Sequence, residues 1–140
     1  MIPRVRRSAI LIVALCLLSA APAIASGGHN RVVGNCRQSQ VKPKEIILAC
    51  ADVNLYVDKI KWQSFGARTA TGSGTYVENT CTPNCAAGKY KSYAVSLMLS
   101  NAKPCFDRQN DYRKMAVTFT AAAPPPGRKS ISEQLFCPVG

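Results

Sequence analysis

Between Tyr93 and Ser100, large apolar residues recur at every second position, with Tyr93, Val95, Leu97 and Leu99 set against Ala94, Ser96, Met98 and Ser100. A helix would scatter these apolar residues around its circumference, whereas an extended chain places every second side chain on one face. The run therefore reads as a half-buried β-strand. Met115, Val117 and Phe119 against Lys114, Ala116 and Thr118 repeat the pattern. Apolar or alternating runs recur between turn signals at Glu45 to Cys50, Leu55 to Trp62, Ala67 to Asn79, Tyr90 to Ser100, Tyr112 to Ala121 and Ser130 to Cys137. Runs spaced in this way predict an all-β fold, an antiparallel sandwich or barrel of about six to eight strands.

One run breaks the alternation. Leu55 and Val57 share a face, while Ile60 and Trp62 fall on the other, so an extra residue near Asp58 is needed to bring all four to one side, which predicts a β-bulge there. No stretch carries a sustained helical apolar stripe. Pro124-Pro125-Pro126-Gly127 cannot continue a central strand, because proline donates no ladder hydrogen bond, and it reads as a stiff connection.

The amino terminus has the pattern of an export signal over residues 1–25. Arg4, Arg6 and Arg7 precede an apolar run from Ala9 to Ala20, and Ala23-Ile24-Ala25 predicts cleavage before Ser26. A membrane anchor would need about 20 apolar residues, and this run is stopped by Pro22. Cys16 lies inside the run with leucines on both sides, so it reads as an apolar residue of the signal and not as a lipidation site. The mature chain is expected to be secreted, extracellular or associated with the cell envelope, with no transmembrane anchor. Residues 26–43 are polar and glycine-bearing and read as a mobile leader that becomes ordered near Cys36, followed by a single β domain over 44–140.

Without Cys16, six of the seven cysteines remain: Cys36, Cys50, Cys81, Cys85, Cys105 and Cys137. An even number in an exported chain points to a disulfide framework. Six cysteines allow many pairings, and spacing only narrows them. Pro83-Asn84 favours a turn that brings Cys81 to Cys85. Cys105 with Cys137 would tie the last strand to the body, and Cys36 with Cys50 would tie down the start. A zinc site is the rival reading, but four thiolates would leave two cysteines over, and the single histidine, His29, lies outside the folded body. No cofactor is expected.

The sequence motifs give little support for catalysis. His29, the usual base for acyl transfer, lies in the leader, and Gly72-Ser73-Gly74 is too short and too strand-like for a nucleophile elbow, so it reads as a place of close backbone packing. Glu45, Asp52, Asp58, Glu78, Asp107, Asp111 and Glu133 could in principle supply a glycosidase-like carboxylate pair, but most neighbour a Lys or Arg and read as solvated surface acids. Trp62 reads as a core anchor. If cleavage fell after Ser26, Gly27-Gly28-His29 would form an amino-terminal site suited to square-planar Cu(II), but the favoured cleavage site places histidine fourth. No metal site is assigned.

Charge is the remaining functional signal. Loss of Arg4, Arg6 and Arg7 lowers Lys plus Arg from 18 to 15 against seven acids, a formal charge of +8. Lys42 and Lys44, Lys59 and Lys61, and Lys89 and Lys91 are each two apart, so on extended backbone each pair projects from one face. If the three segments are neighbours they form a cationic stripe for an anionic partner, such as a cell-envelope polymer or a protein. The competing reading is that these lysines keep exposed strand edges soluble. No pattern of basic and aromatic residues matches a nucleic-acid reader, so no specific nucleic-acid binding is expected.

Four blocks in the middle of the mature chain carry a resemblance: Leu48-Ala49-Cys50-Ala51-Asp52; Lys61-Trp62 with Phe65-Gly66-Ala67; Ala70-Thr71-Gly72-Ser73-Gly74-Thr75-Tyr76; and Asn79-Thr80-Cys81-Thr82-Pro83-Asn84-Cys85-Ala86-Ala87-Gly88. They resemble a family of small exported actinobacterial proteins, with Asn-x-Cys-x-Pro-x-Cys-Ala the most specific element. That family often has a second tryptophan at the position of Phe65 and a proline at that of Ala94, differences that read as packing changes. The resemblance implies export and transfers no catalytic residue. Taken together, the sequence leads us to expect a secreted, non-catalytic β module that associates with an anionic partner; the alternative is a small secreted enzyme or enzyme inhibitor.

Overall fold

A computed structural model describes residues 30–33 and 36–138, and the expected export signal over residues 1–25, with Cys16, and His29 lie outside them. The described chain is all β. Its strands are β1 (Val32–Val33), β2 (Ser39–Gln40), β3 (Ile46–Ile47), β4 (Leu55–Phe65), β5 (Ala70–Asn79), β6 (Tyr90–Pro104), β7 (Asn110–Phe119) and β8 (Ser130–Gln134). β3 to β8 form one antiparallel sheet in sequence order, and β1 pairs with β2 in a small ribbon. The six-stranded sheet curls into a half-barrel, so the expected all-β fold takes the barrel-like form, left open between its first and last strands.

The alternation read from sequence determines which face the curl encloses. Tyr93, Val95, Leu97 and Leu99 of β6 and Met115, Val117 and Phe119 of β7 are buried, and their intervening neighbours face outward. Val57 and Ile60 are buried in the same core because the β4–β5 register shifts between Asp58 and Lys61, with Lys59 at φ 52°. This is the bulge the broken alternation predicts. A second shift, between Trp62 and Ser64, keeps Trp62 and Phe65 packed on the core as well. Trp62 stacks edge-on to Phe65 at 5.0 Å between ring centres, Phe65 does the same to Tyr112 at 5.4 Å, and the indole N–H donates to the carbonyl of Pro43 (2.8 Å). At the other end of the sheet, Tyr76, Tyr93 and Phe119 form a second aromatic cluster.

The glycines of Gly72-Ser73-Gly74 are packing positions. A Cβ on Gly72 would lie 3.0 Å from the Trp62 ring, and one on Gly74 would lie 2.9 Å from the Asp58 carbonyl and 3.1 Å from Val57. The 2.9 Å approach is closer than real Cβ atoms come and the others are tighter than most, so the missing Cβ atoms let the Trp62 ring and the β4 bulge sit close against β5.

Three disulfides staple the fold: Cys36–Cys50, Cys81–Cys85 and Cys105–Cys137. They engage all six cysteines of the folded body, leaving no thiolates for the zinc alternative. The strand ends move relative to the sequence reading. β6 runs on to Pro104, passing Asn101 at φ 58° where the ladder to β7 skips a pair, and β5 starts only at Ala70 because Gly66 N–H closes a turn onto the Thr69 carbonyl (2.9 Å).

The leader segment gives the main departure from the sequence reading. Val32 is completely buried in the core, and Arg31 bonds to the backbone on both sides of Asp111, through the Asn110 carbonyl (2.9 Å) and the Tyr112 N–H (2.8 Å). Asp111, expected on the surface, is completely buried: it accepts from Arg31 Nε (3.2 Å) and from the Ser39 hydroxyl, while Arg31 Nη2 reaches Asp107 at 2.6 Å. Asn30 is also buried and donates to the carbonyls of Gly66 (3.3 Å) and Ala67 (2.5 Å). Asn30 and Val32 are therefore part of the packed interior, with Arg31 between them tied to β7. A buried carboxylate needs a cationic partner, and Arg31 can reach Asp111 only if its segment lies along β7.

Candidate functional site

The bulge in β4 organises the cationic surface. It turns Lys59 out of the regular ladder and leaves the Ile60 N–H pointing away from β5, where it is met by the Lys44 carbonyl (3.0 Å). Together with the Trp62 bond to Pro43, this lays residues 42–44 along the outer edge of β4. Lys42, Lys44, Lys59 and Lys61 are exposed there. Two of the three lysine pairs thus come together, although on a bulged strand and not on the regular extended backbone that the spacing argument assumed.

Lys59 and Lys61 border a shallow hollow of about 380 Å³ on the outward face of the sheet, floored by Ser73, Gly74, Thr75, Ala94 and Ser96 and closed by Thr120. The floor is low because its side chains are small. In register across the strands, Lys61 is opposite Ser73, Ser73 opposite Ser96, Ser96 opposite Thr118 and Thr118 opposite Ser130, so a row of hydroxyls runs from the lysine edge to β8.

Lys89 and Lys91 are placed differently. The Lys89 backbone pairs with Thr80 beside the Cys81–Cys85 loop, and Lys91 is in register with Glu78 on β5, one strand removed from Leu55 at the start of β4. No backbone contact ties them to residues 42–44, and a carboxylate faces Lys91 across the ladder.

Four of the seven acids have structural partners, whereas Asp58 keeps one buried carboxylate oxygen without a hydrogen bond. Asp52 accepts from Asn54, Glu78 accepts from the Tyr93 hydroxyl (3.4 Å), and Asp107 and Asp111 share Arg31. The Arg31 hydrogen bond, with a further bond from the Gln109 N–H, holds the Asp107 carboxyl below the usual range. Burial, reinforced by the nearby charges of Glu78 and Glu133, pushes the Tyr76 hydroxyl up to about 12, which keeps it neutral. Among the described residues no group of three or more His, Cys, Asp or Glu side chains could hold a metal ion.

Two further concave features went unread in the sequence. A cleft of about 230 Å³ occupies the open seam of the half-barrel, lined by Ile47, Leu48, Leu135 and Phe136 with Glu133 at its wall. A wider hollow of about 540 Å³ lies between Phe106 and Phe136 over the Cys105–Cys137 bridge. Each of these phenylalanines is a chain neighbour of one of the two bridged cysteines, which is the signal that could have found them. For Arg31 and Asp111 no local signal exists, since 80 residues separate the partners.

No helix among the described residues is long and apolar enough to cross a membrane. Comparison of the chain with protein-family models, with curated proteins and with solved structures finds no match in any of the three.

Proposed function

We propose that the chain is an exported, non-catalytic binding module that associates with an anionic polymer of the cell envelope through Lys42, Lys44, Lys59 and Lys61. The observation that carries this reading is the Lys44–Ile60 backbone bond, which sets two lysine pairs side by side next to a hollow lined with hydroxyls. Ammonium groups attract phosphate or carboxylate on the polymer, and the Ser and Thr hydroxyls supply donors and acceptors for sugar oxygens. Export is supported by the signal-like residues 1–25, by the resemblance to small exported proteins and by three disulfides, which persist in oxidising compartments. Lys89 and Lys91 are left out of the contact surface because Glu78 faces Lys91.

Binding of the protein to purified anionic cell-wall polymer, measured by calorimetry at low ionic strength, tests the proposal. Exposed charges are screened within roughly 10 Å at 0.1 M salt, so affinity should fall steeply as salt rises. Lys59→Gln with Lys61→Gln should weaken binding roughly tenfold, from two exposed contacts of up to about 1 kcal/mol each. Absence of binding at low salt, or binding indifferent to the double substitution, rejects the reading.

A further inference from the structure

At the end of the half-barrel where β6 turns into β7, two phenylalanines stand in water. Phe106 is 89% exposed and Phe136 is 72% exposed, the two most exposed large apolar side chains of the described residues. Phe106 sits in the hairpin turn that Cys105 closes with Gln109 (2.8 Å) and Arg108 (2.9 Å). Phe136 belongs to the carboxy-terminal segment, which the Cys105–Cys137 bridge fastens to that turn, so the two rings are held on either side of one hollow with Pro104 and Arg113. Pro138 flanks Phe106 on its other side. Arg113 is fixed beneath them by bonds to the Leu135 carbonyl (3.0 Å) and Cys137 Sγ (3.1 Å). Two aromatic rings left in water on a rigid support are an apolar patch without a structural purpose in the fold itself.

The charges around the patch indicate what covers it. Lys103 and Arg108 are exposed within three residues of Phe106, while Asp107, the one acid of the turn, is bound to Arg31. A ring that is nearly nine-tenths exposed projects from its hairpin and does not form the wall of a closed groove. Projecting apolar rings with cations beside them match a surface whose outer layer is anionic and whose inner layer is apolar. We propose that the Phe106–Phe136 tip is a membrane-contact site that dips into the headgroup boundary of an anionic lipid surface. This site lies at the hairpin end of the sheet, apart from the lysine edge of β4, and stands independently of the polymer reading.

Flotation of the disulfide-intact protein with vesicles of phosphatidylcholine, with and without about one-third phosphatidylglycerol, tests it. The protein should float with the anionic vesicles and stay behind with the neutral ones. Phe106→Ser and Phe136→Ser should each weaken binding roughly tenfold, and the pair should abolish it. Both rings are exposed, so these changes leave no cavity, and an unchanged near-ultraviolet dichroism spectrum will show that the fold persists. Phe106→Trp should show a blue shift in emission on addition of anionic vesicles. The proposal is overturned if the protein does not float with anionic vesicles, if flotation survives loss of both rings, or if the rings prove to govern only self-association in sedimentation. Capture of an apolar peptide by the tip without vesicle binding would overturn it equally.

Discussion

Asp111→Ala gives the sharpest test of how the amino-terminal segment is held. The side chain is completely buried and accepts from Arg31 Nε at 3.2 Å and from the Ser39 hydroxyl, so truncation removes two charge-assisted bonds at once. Breaking a fully buried ion pair costs roughly 3–5 kcal/mol, because the partner charge is left uncompensated. Here the Arg31 side chain retains 21% exposure and its bond to Asp107, which puts the expected loss near the lower limit, about 3 kcal/mol. Asp111→Asn keeps the shape: its carbonyl can accept from Arg31 and its amide can donate to the Ser39 oxygen, so only the charge is lost, at about 1–2 kcal/mol. Urea unfolding followed by far-ultraviolet dichroism, with the disulfides intact, measures both. Limited trypsin digestion supplies a local readout, since cleavage after Arg31 should accelerate in Asp111→Ala before global stability is lost. A loss below about 0.5 kcal/mol, with no change in cleavage, would show that the buried pair does not hold this segment in place.

Three other outcomes follow from the core and the staples. Tyr76 is 5% exposed and its hydroxyl is pushed up to about 12, so unfolding releases a phenol that ionises earlier. The contribution is complete below about pH 10 and is lost as pH rises towards about 12, up to about 3 kcal/mol; the urea midpoint should fall less over that window in Tyr76→Phe than in the wild type. Gly74→Ala should destabilise by about 1–3 kcal/mol, because its Cβ would meet the Asp58 carbonyl at 2.9 Å, whereas Ser73→Ala on the outward face should stay within about 0.5 kcal/mol by the same urea assay. Peptide mapping without reduction should recover Cys36 with Cys50, Cys81 with Cys85 and Cys105 with Cys137 and no free thiol in the folded body; any other pairing would contradict the topology.

What could be read from the sequence was what is encoded between near neighbours. The period-two recurrence of Tyr93, Val95, Leu97 and Leu99 placed β6 and its buried face, because burial on one side of a strand imposes a period of two. The broken alternation between Val57 and Ile60 marked the bulge at Asp58 for the same reason. The burial of Asn30 and Val32 was not legible because two adjacent valines give no period, and the partners that draw Val32 and Arg31 inward lie on β7. The lysine pairs were legible as pairs, but which of them meet depends on the Lys44–Ile60 bond, itself a consequence of a bulge whose size the sequence does not specify. Lys91 shows the converse: the spacing that suggested a shared face could not reveal Glu78 in register on the next strand.

Hydrogen exchange footprinting of the protein with and without anionic cell-wall polymer at low salt examines the proposed contact surface most directly. The arrangement of Lys42, Lys44, Lys59 and Lys61 around the β4 bulge predicts that the polymer slows exchange in residues 42–44 and 59–61 and in the neighbouring Ser73–Thr75 stretch, leaving 89–91 unchanged. Protection confined to 89–91 or to the Phe106 hairpin, or no protection under conditions where the polymer binds, would contradict the account.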